Sequence, residues 1–271
     1  MFLTKFRKPV DTFAPSVGQM YRTVRDFCVS RKARETKYGF TLAGSTIMSS
    51  DDFEAEEVRT FLEFLDGHDA VLDIGANVGF YSCLAASRGK QVVSFEPSAR
   101  NLKFLYKNLW DNGLPKVEVF PVGLAKEKGL SMMFGFGGIS SFVPGWGQAQ
   151  TSKGYLVPVT TLDTVAAGRF EGKKLLIKMD VEGFELDVLA GATKTLDLNP
   201  KPTWLMEILL QDGVIPGGMN RRFNETFEIF WAHGYQCRKL DESRAIVQQS
   251  DLANWINRGT ADCTDFLFSE R

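Results

Sequence analysis

Histidine and cysteine are scarce in this chain. His68 and His233 are its only histidines, and Cys28, Cys83, Cys237 and Cys263 stand far apart with no CxxC pair. A Cys/His zinc site is therefore not expected. An excess of either charge is also missing: 32 Lys and Arg against 33 Asp and Glu leave a net charge of −1. Such a molecule has no large field to draw in nucleic acid, and none is expected as a partner. No apolar run approaches the roughly 20 residues of a membrane span, so no transmembrane segment is expected. The charged stretch Met1 to Arg7 is followed by no apolar core of leader length. These absences point to a soluble protein of a reducing compartment, the cytoplasm. Two nucleotide fingerprints are missing as well. There is no GxxxxGK[ST] loop for a nucleoside triphosphate and no GxGxxG turn for a dinucleotide.

What is present is ordinary enough to fold. With 44% hydrophobic and 24% charged residues over 271 positions, the chain can bury one sizeable α/β domain. Its most informative stretch is Ala70-Val71-Leu72-Asp73-Ile74-Gly75-Ala76-Asn77-Val78-Gly79-Phe80-Tyr81-Ser82-Cys83-Leu84-Ala85. An apolar run ends on one acid, breaks on two glycines, and continues as an amphipathic segment, which spells strand, tight turn, helix. Such a turn sits at the carboxyl end of a parallel strand, where a ligand can approach the backbone and free N–H groups.

The pattern then repeats. Buried-type runs predict strands at 70–75, 91–95, 117–122, 174–180, 203–209 and 234–240, with helices at 51–65, 79–88, 98–111, 184–197 and 221–233. Right-handed crossovers would put the carboxyl ends of the parallel strands on one rim. The expected fold class is α/β, a mostly parallel sheet with helices on both faces and an antiparallel strand near the C-terminus at 261–268. Two segments depart from the alternation. Residues 1–45 are expected to form a basic N-terminal helical extension, since Lys5, Arg7, Lys8, Arg22, Arg25, Arg31, Lys32, Arg34 and Lys37 outnumber Asp11, Asp26 and Glu35 there. After Pro15-Ser16, Val17, Met20, Tyr21, Val24, Phe27 and Cys28 recur at helical spacing; a short strand around Tyr38 to Leu42 follows. The main domain, 46–271, carries an inserted glycine-rich β-ribbon at about 124–164. Long insertions in compact domains often bind or cover ligands. Phe142 and Trp146 are candidates to cover a substrate, with a flexible surface connection as the alternative.

Glu96 ends the second strand about 20 residues beyond the glycine turn, the offset at which an acid meets a ribose diol. Asn77 stands where a dinucleotide fold needs its second glycine, and its side chain would occupy the pyrophosphate's space. A nucleoside with a ribose and a polar tail but no phosphates fits better; S-adenosyl-L-methionine is such a ligand. Lys178 and Glu207 lie in strands that should be buried, so each wants a partner, as a rim contact or a structural ion pair. His233 reads as the end of a helix before a Gly stop, and His68 as a loop residue.

The blocks Val71 to Ser82, Ser94-Phe95-Glu96-Pro97 and Ile177-Lys178-Met179-Asp180-Val181-Glu182-Gly183-Phe184-Glu185 together resemble the FkbM family of S-adenosylmethionine-dependent methyltransferases, in order and spacing, from about Thr41 to Leu240. The resemblance implies a Rossmann-like class I methyltransferase sheet and O-methylation of a hydroxyl on a sugar or small metabolite. It implies that Asp73, Gly75, Asn77 and Gly79 hold the methionine end of the cofactor and Glu96 the ribose, with Val122 and Gly123 bordering the adenine. Asp180 and Glu182 would face the transferring methyl as the catalytic acids. A purely structural alternative has Asp180 capping the turn and Glu185 facing solvent. No metal is assigned, a divalent ion on Asp180, Glu182 and Glu207 being the competing arrangement. A nicotinamide-dependent oxidoreductase and a non-catalytic cofactor-binding module are the other functional readings, and the sequence does not identify the acceptor or the oligomeric state.

Overall fold

The computed structural model describes residues 32–135, 140–146, 154–211, 220 and 222–270. The amphipathic segment at 17–28 and the glycines between 136 and 139 lie outside them. Thirteen strands are named in chain order: β1 (Arg34–Glu35), β2 (Thr41–Leu42), β3 (Ala70–Ile74), β4 (Gln91–Phe95), β5 (Glu118–Phe120), β6 (Gly123–Leu124), β7 (Gly129–Met133), β8 (Tyr155–Thr160), β9 (Leu175–Met179), β10 (Thr203–Glu207), β11 (Tyr235–Lys239), β12 (Ile246–Val247) and β13 (Asp265–Glu270). The helices are α1 (Ala55–Leu65), α2 (Phe80–Ser87), α3 (Ala99–Asp111), α4 (Leu162–Ala166), α5 (Glu185–Ala190), α6 (Thr193–Leu196), α7 (Phe223–Ala232) and α8 (Gln249–Arg258).

The main sheet runs β12-β11-β13-β10-β9-β3-β4-β5. From β10 to β5 every pairing is parallel, whereas β13 is antiparallel to both its neighbours. The two faces can be read residue by residue, because side chains alternate along a strand. Ala70, Leu72 and Ile74 of β3 and Leu175, Ile177 and Met179 of β9 join one core cluster with residues of α4 to α8. Val71 and Leu176 join the other, with Val58 and Phe61 of α1, Phe80 and Leu84 of α2, and Leu105 of α3. The α/β class, the mostly parallel sheet and the helices on both faces are thus as expected.

Three details differ. The strand expected at 117–122 is trimmed to β5, ending before Pro121, and a separate short strand, β6, follows and pairs with β8 of the insert. The helix expected at 184–197 divides into α5 and α6 at Gly191, where a Cβ would lie 2.1 Å from the Ala125 carbonyl oxygen. The Asp163 carboxylate then accepts hydrogen bonds from the backbone N–H groups of Lys194 and Thr195, starting α6 from outside its own chain segment. Finally, α1 starts only at Ala55, after Glu54 in a left-handed conformation with φ 40°.

The last strand is not at the edge: β13 is wedged between β10 and β11. Aromatic side chains hold it there. Phe268 stacks on Phe230 with ring centroids 3.8 Å apart, and Phe227 meets Phe266 edge-on at 4.9 Å. The insert is a three-stranded sheet, β6-β8-β7, with β7 and β8 antiparallel. At the other end, the Asn108 and Asn112 side chains bond the backbone at Ala43 and Thr41, fixing the 41–43 segment on α3. No helix among the described residues is long and apolar enough to cross a membrane.

Candidate active site

A cavity open to solvent lies at the carboxyl ends of β3, β4 and β9. Gly75, Asn77, Glu96, Val122, Gly123, Asp180 and Glu182 all line it, so the segments after β3, β4, β5 and β9 together build its walls.

The first wall is the turn after β3. The Gly75 and Ala76 N–H groups donate to the Phe95 carbonyl at 3.0 Å each, tying the turn to β4. The Asp180 N–H donates to the Ile74 carbonyl at 3.0 Å on the other side. Gly75 has φ 82°, and a Cβ there would sit 1.8 Å from the Asp180 carbonyl oxygen, so no other residue fits without moving the loop that carries Asp180. Asn77 also has a positive φ, 52°, which turns its N–H toward Glu96.

Glu96 is buried and accepts from three donors. Its Oε2 takes the Asn77 N–H at 2.8 Å, and Oε1 takes the Ser98 N–H at 2.7 Å and the Asn101 amide at 3.4 Å. These bonds aim the carboxylate along the cavity wall with acceptor capacity left over. Burial outweighs them and pushes its pKa up to about 7.

Asp73 and Gly79 do not line the cavity. Asp73 lies beneath the turn, fully covered, and accepts the Ser82 hydroxyl, which also bonds Ser94. It holds the turn from below, across the ladder from Lys178. Gly79 caps α2, and a Cβ there would come within 2.4 Å of the Leu105 side chain. Its smallness therefore serves helix packing.

The last wall is the Asp180-Val181-Glu182-Gly183 loop. Glu182 takes a left-handed φ of 53°, costly for a side-chain-bearing residue and seen where function demands it. The insert holds it in that shape: the Trp146 indole N–H donates to Glu182 Oε2 at 2.9 Å, and the Ser141 hydroxyl to the Glu182 carbonyl at 2.6 Å. The Trp146 ring packs where a Cβ on Gly183 would be, at 2.5 Å. Trp146 is thus a buried brace outside the cavity, whereas Phe142 lines it beside Phe184, their rings 4.9 Å apart. Glu185 does not face solvent. It is buried and accepts the Gly183 N–H at 2.9 Å, closing the turn.

Sequence reasoning missed the partners behind this loop. Lys178 pairs with Glu57 of α1 at 2.9 Å, both almost fully buried; the Tyr81 hydroxyl donates to Glu54 at 2.8 Å. Burial drives Glu57 up, but Lys178 and the hydrogen bond from Glu54 prevail and leave its pKa below the ordinary value. Glu207, half-buried at the end of β10, acts on the Asp180 carboxyl. The only advance sign was charge placed in strands otherwise apolar. Among the described residues no group of three His, Cys, Asp or Glu is arranged to hold a metal ion.

Burial raises several of these acids: Asp73 to about 6, Glu96, Glu182 and Glu185 to about 7, and Glu207 to about 9. In the unfolded chain each would titrate near 4. Between about pH 4 and 9 the folded state therefore holds protons that the unfolded state has released, and stability falls as pH rises. The Glu57 contribution is already complete at pH 6, because its pKa is depressed; that of Lys178, with its pKa raised, is lost only above the usual lysine range. The thermal midpoint of the free protein is expected to be higher at pH 6 than at pH 8.5. A midpoint that rises over that interval would contradict the assignment.

Comparison with known proteins gives the family. The Methyltransferase FkbM domain model matches residues 73–237. The hexuronic acid methyltransferase AglP of Haloferax volcanii is 27% identical over 143 residues, which are 53% of this chain and 58% of that protein. The AMB antimetabolite synthetase AmbE of Pseudomonas aeruginosa is 37% identical over 68% of this chain, a match that spans 10% of AmbE. The chain thus covers less than two thirds of either relative. Among solved structures, the O-methyltransferase of Bacillus cereus in complex with SAH has a TM-score of 0.47 at 11% identity, over 97% of this chain and 96% of that one. The family match begins at Asp73, takes in Glu96 and the Asp180 loop, and ends in β11, covering every wall of the cavity: the chain belongs to the FkbM methyltransferase family.

Proposed function

We propose that the chain is an S-adenosyl-L-methionine-dependent methyltransferase acting on a hydroxyl oxygen of a sugar or small metabolite. The observation that carries this reading is the convergence of Gly75, Asn77, Glu96, Asp180 and Glu182 on one cavity. The donor set suits the cofactor. Glu96 offers a carboxylate to a ribose diol, and Phe142, Phe184, Val122 and Leu124 form an apolar wall for a base. The turn at Gly75 and Asn77 would take the methionine end, and no second glycine admits a pyrophosphate, which disfavours a nicotinamide dinucleotide. When bound, the cofactor supplies an electrophilic methyl group whose bonding pair leaves with sulfur. The protein's part is alignment and deprotonation. Holding the acceptor oxygen in line can supply much of the acceleration, and Asp180, with its pKa raised chiefly by burial, would take the hydroxyl proton as general base.

The charges around Asp180 bear on the acceptor. Glu182 and Asp265 add negative potential near it, and Lys178 is already engaged by Glu57. A neutral hydroxyl compound enters such a field more readily than an anion. This departs from the acid named for AglP. Calorimetry should register S-adenosylmethionine binding and none for NAD(P)H; the reverse would sink the methyltransferase reading. In a methyl-transfer assay over matched sugars, neutral hexoses should exceed their hexuronates by about tenfold or more in kcat/KM, a 1.4 kcal/mol preference. Uronates as the better acceptors would refute the charge argument. Cofactor binding without turnover on any acceptor would favour a non-catalytic module.

A further inference from the structure

β9 and β10 run parallel with Lys178 beside Leu205 and Met179 beside Met206. One step past this pairing Asp180 follows β9 and Glu207 ends β10, and the two carboxyl groups act on each other. Two carboxyls this close cannot both ionise cheaply, so they share a proton. The surroundings say where it stays. Glu207 meets Asp180 and Glu182 from the β9 loop and Asp265 from β13, its cross-strand partner. Among the described residues the cation that acts on both carboxyls, Lys178, is bound by Glu57 on α1. Asp180 follows Lys178 by two residues at the end of β9, and that cation favours its charged form.

We propose that Glu207 is a positioning residue for Asp180: as the neutral acid of the pair it donates a hydrogen bond to one Asp180 oxygen and leaves the other free to take the acceptor's proton. The inference rests on the O-methyltransferase reading for its chemistry. In the step, the acceptor oxygen gives a lone pair to the methyl carbon and its proton to Asp180, while Glu207 keeps its own. The proton that leaves to solvent afterwards is the one Asp180 took, and no other reactant is required. Burial first and Asp180 second push the Glu207 pKa up to about 9. For Asp180 the Glu207 hydrogen bond acts to lower a value that burial raises.

The test uses the full chain with Glu207→Gln, which keeps a donor but cannot ionise, and Glu207→Leu, which removes it. In the free protein at about pH 8, infrared difference spectra of wild type against Glu207→Gln should show the loss of one protonated carboxyl. No such loss overturns the proposal, whatever the protein's activity. In turnover, Glu207→Leu should move the acid limb of kcat up by about one pH unit and lower kcat at pH 7 about tenfold, because Asp180 loses a bond that favours its charge. Cofactor affinity should change less than about twofold. Glu207→Gln should restore both the limb and kcat to near wild type. An unmoved limb in Glu207→Leu, or a Glu207→Gln as slow as Glu207→Leu, would also overturn it. A wild type that binds no S-adenosylmethionine would instead remove the functional reading, and the infrared comparison would still decide the carboxyl pair.

Discussion

Gly75→Ala is expected to abolish cofactor binding and to cost about 4 kcal/mol or more of stability, the range reserved for gross steric or strain defects. Two penalties combine. A Cβ would fall 1.8 Å from the Asp180 carbonyl oxygen, and φ is 82°. Neither the oxygen nor the backbone behind it can yield easily, since Asp180 is tied to Ile74 through its own N–H. Gly89→Ala is the control. Gly89 has nearly the same φ, 78°, with nothing within 4 Å of the added carbon, so it isolates the conformational cost at about 1 kcal/mol. Urea melts of the two variants measure the difference directly. If Gly75→Ala is no worse than Gly89→Ala, the turn and the Asp180 loop are not in the contact described.

Asp180→Asn should leave S-adenosylmethionine affinity within about threefold while kcat falls by about 10² to 10³, the usual worth of a positioned general base. The substitution keeps the size of the side chain and its bond to Glu207, so the loss falls on proton acceptance. Glu96→Ala should do the opposite. It strands the N–H groups of Asn77 and Ser98 and removes the diol acceptor, and the affinity loss should be about 30-fold, near 2 kcal/mol. Calorimetric affinities set beside single-turnover rates separate the two residues. Equal affinity losses in both variants would end this division of labour.

Much of this site was legible in the residues because its parts are local. A strand, a turn and an acid about 20 positions later read in one dimension, and the runs at 70–75, 91–95, 174–180, 203–209 and 234–240 became β3, β4, β9, β10 and β11 with trimmed ends. What was not legible depends on neighbours brought from elsewhere. Gly191 breaks a helix because Ala125 passes beside it. Glu185 turns inward because the Gly183 N–H needs an acceptor. The assignment of Asp73 and Gly79 to ligand contact could not foresee that Ser82 and Leu105 would occupy them. The Lys178 partner could be demanded but not named, since Glu57 lies more than a hundred residues earlier and meets it only when α1 packs on the sheet. The short elements α4, α8 and β12 were missed, although Gln248 and Asp251 form a reciprocal cap that marks the start of α8.

The place of β13 has a consequence for how the molecule comes into being on the ribosome. β10 emerges early and at once finds β9, but β11 has no hydrogen-bonding neighbour in the main sheet other than β12 until residues 265–270 arrive to join it to β10. Until then Phe227 and Phe230 face a gap where Phe266 and Phe268 will lie. Vectorial synthesis would complete the half of the sheet that carries the cavity first and leave the other half waiting for its keystone. A reporter peptide or truncation placed just before Asp265 would remove that keystone, not a dispensable fringe.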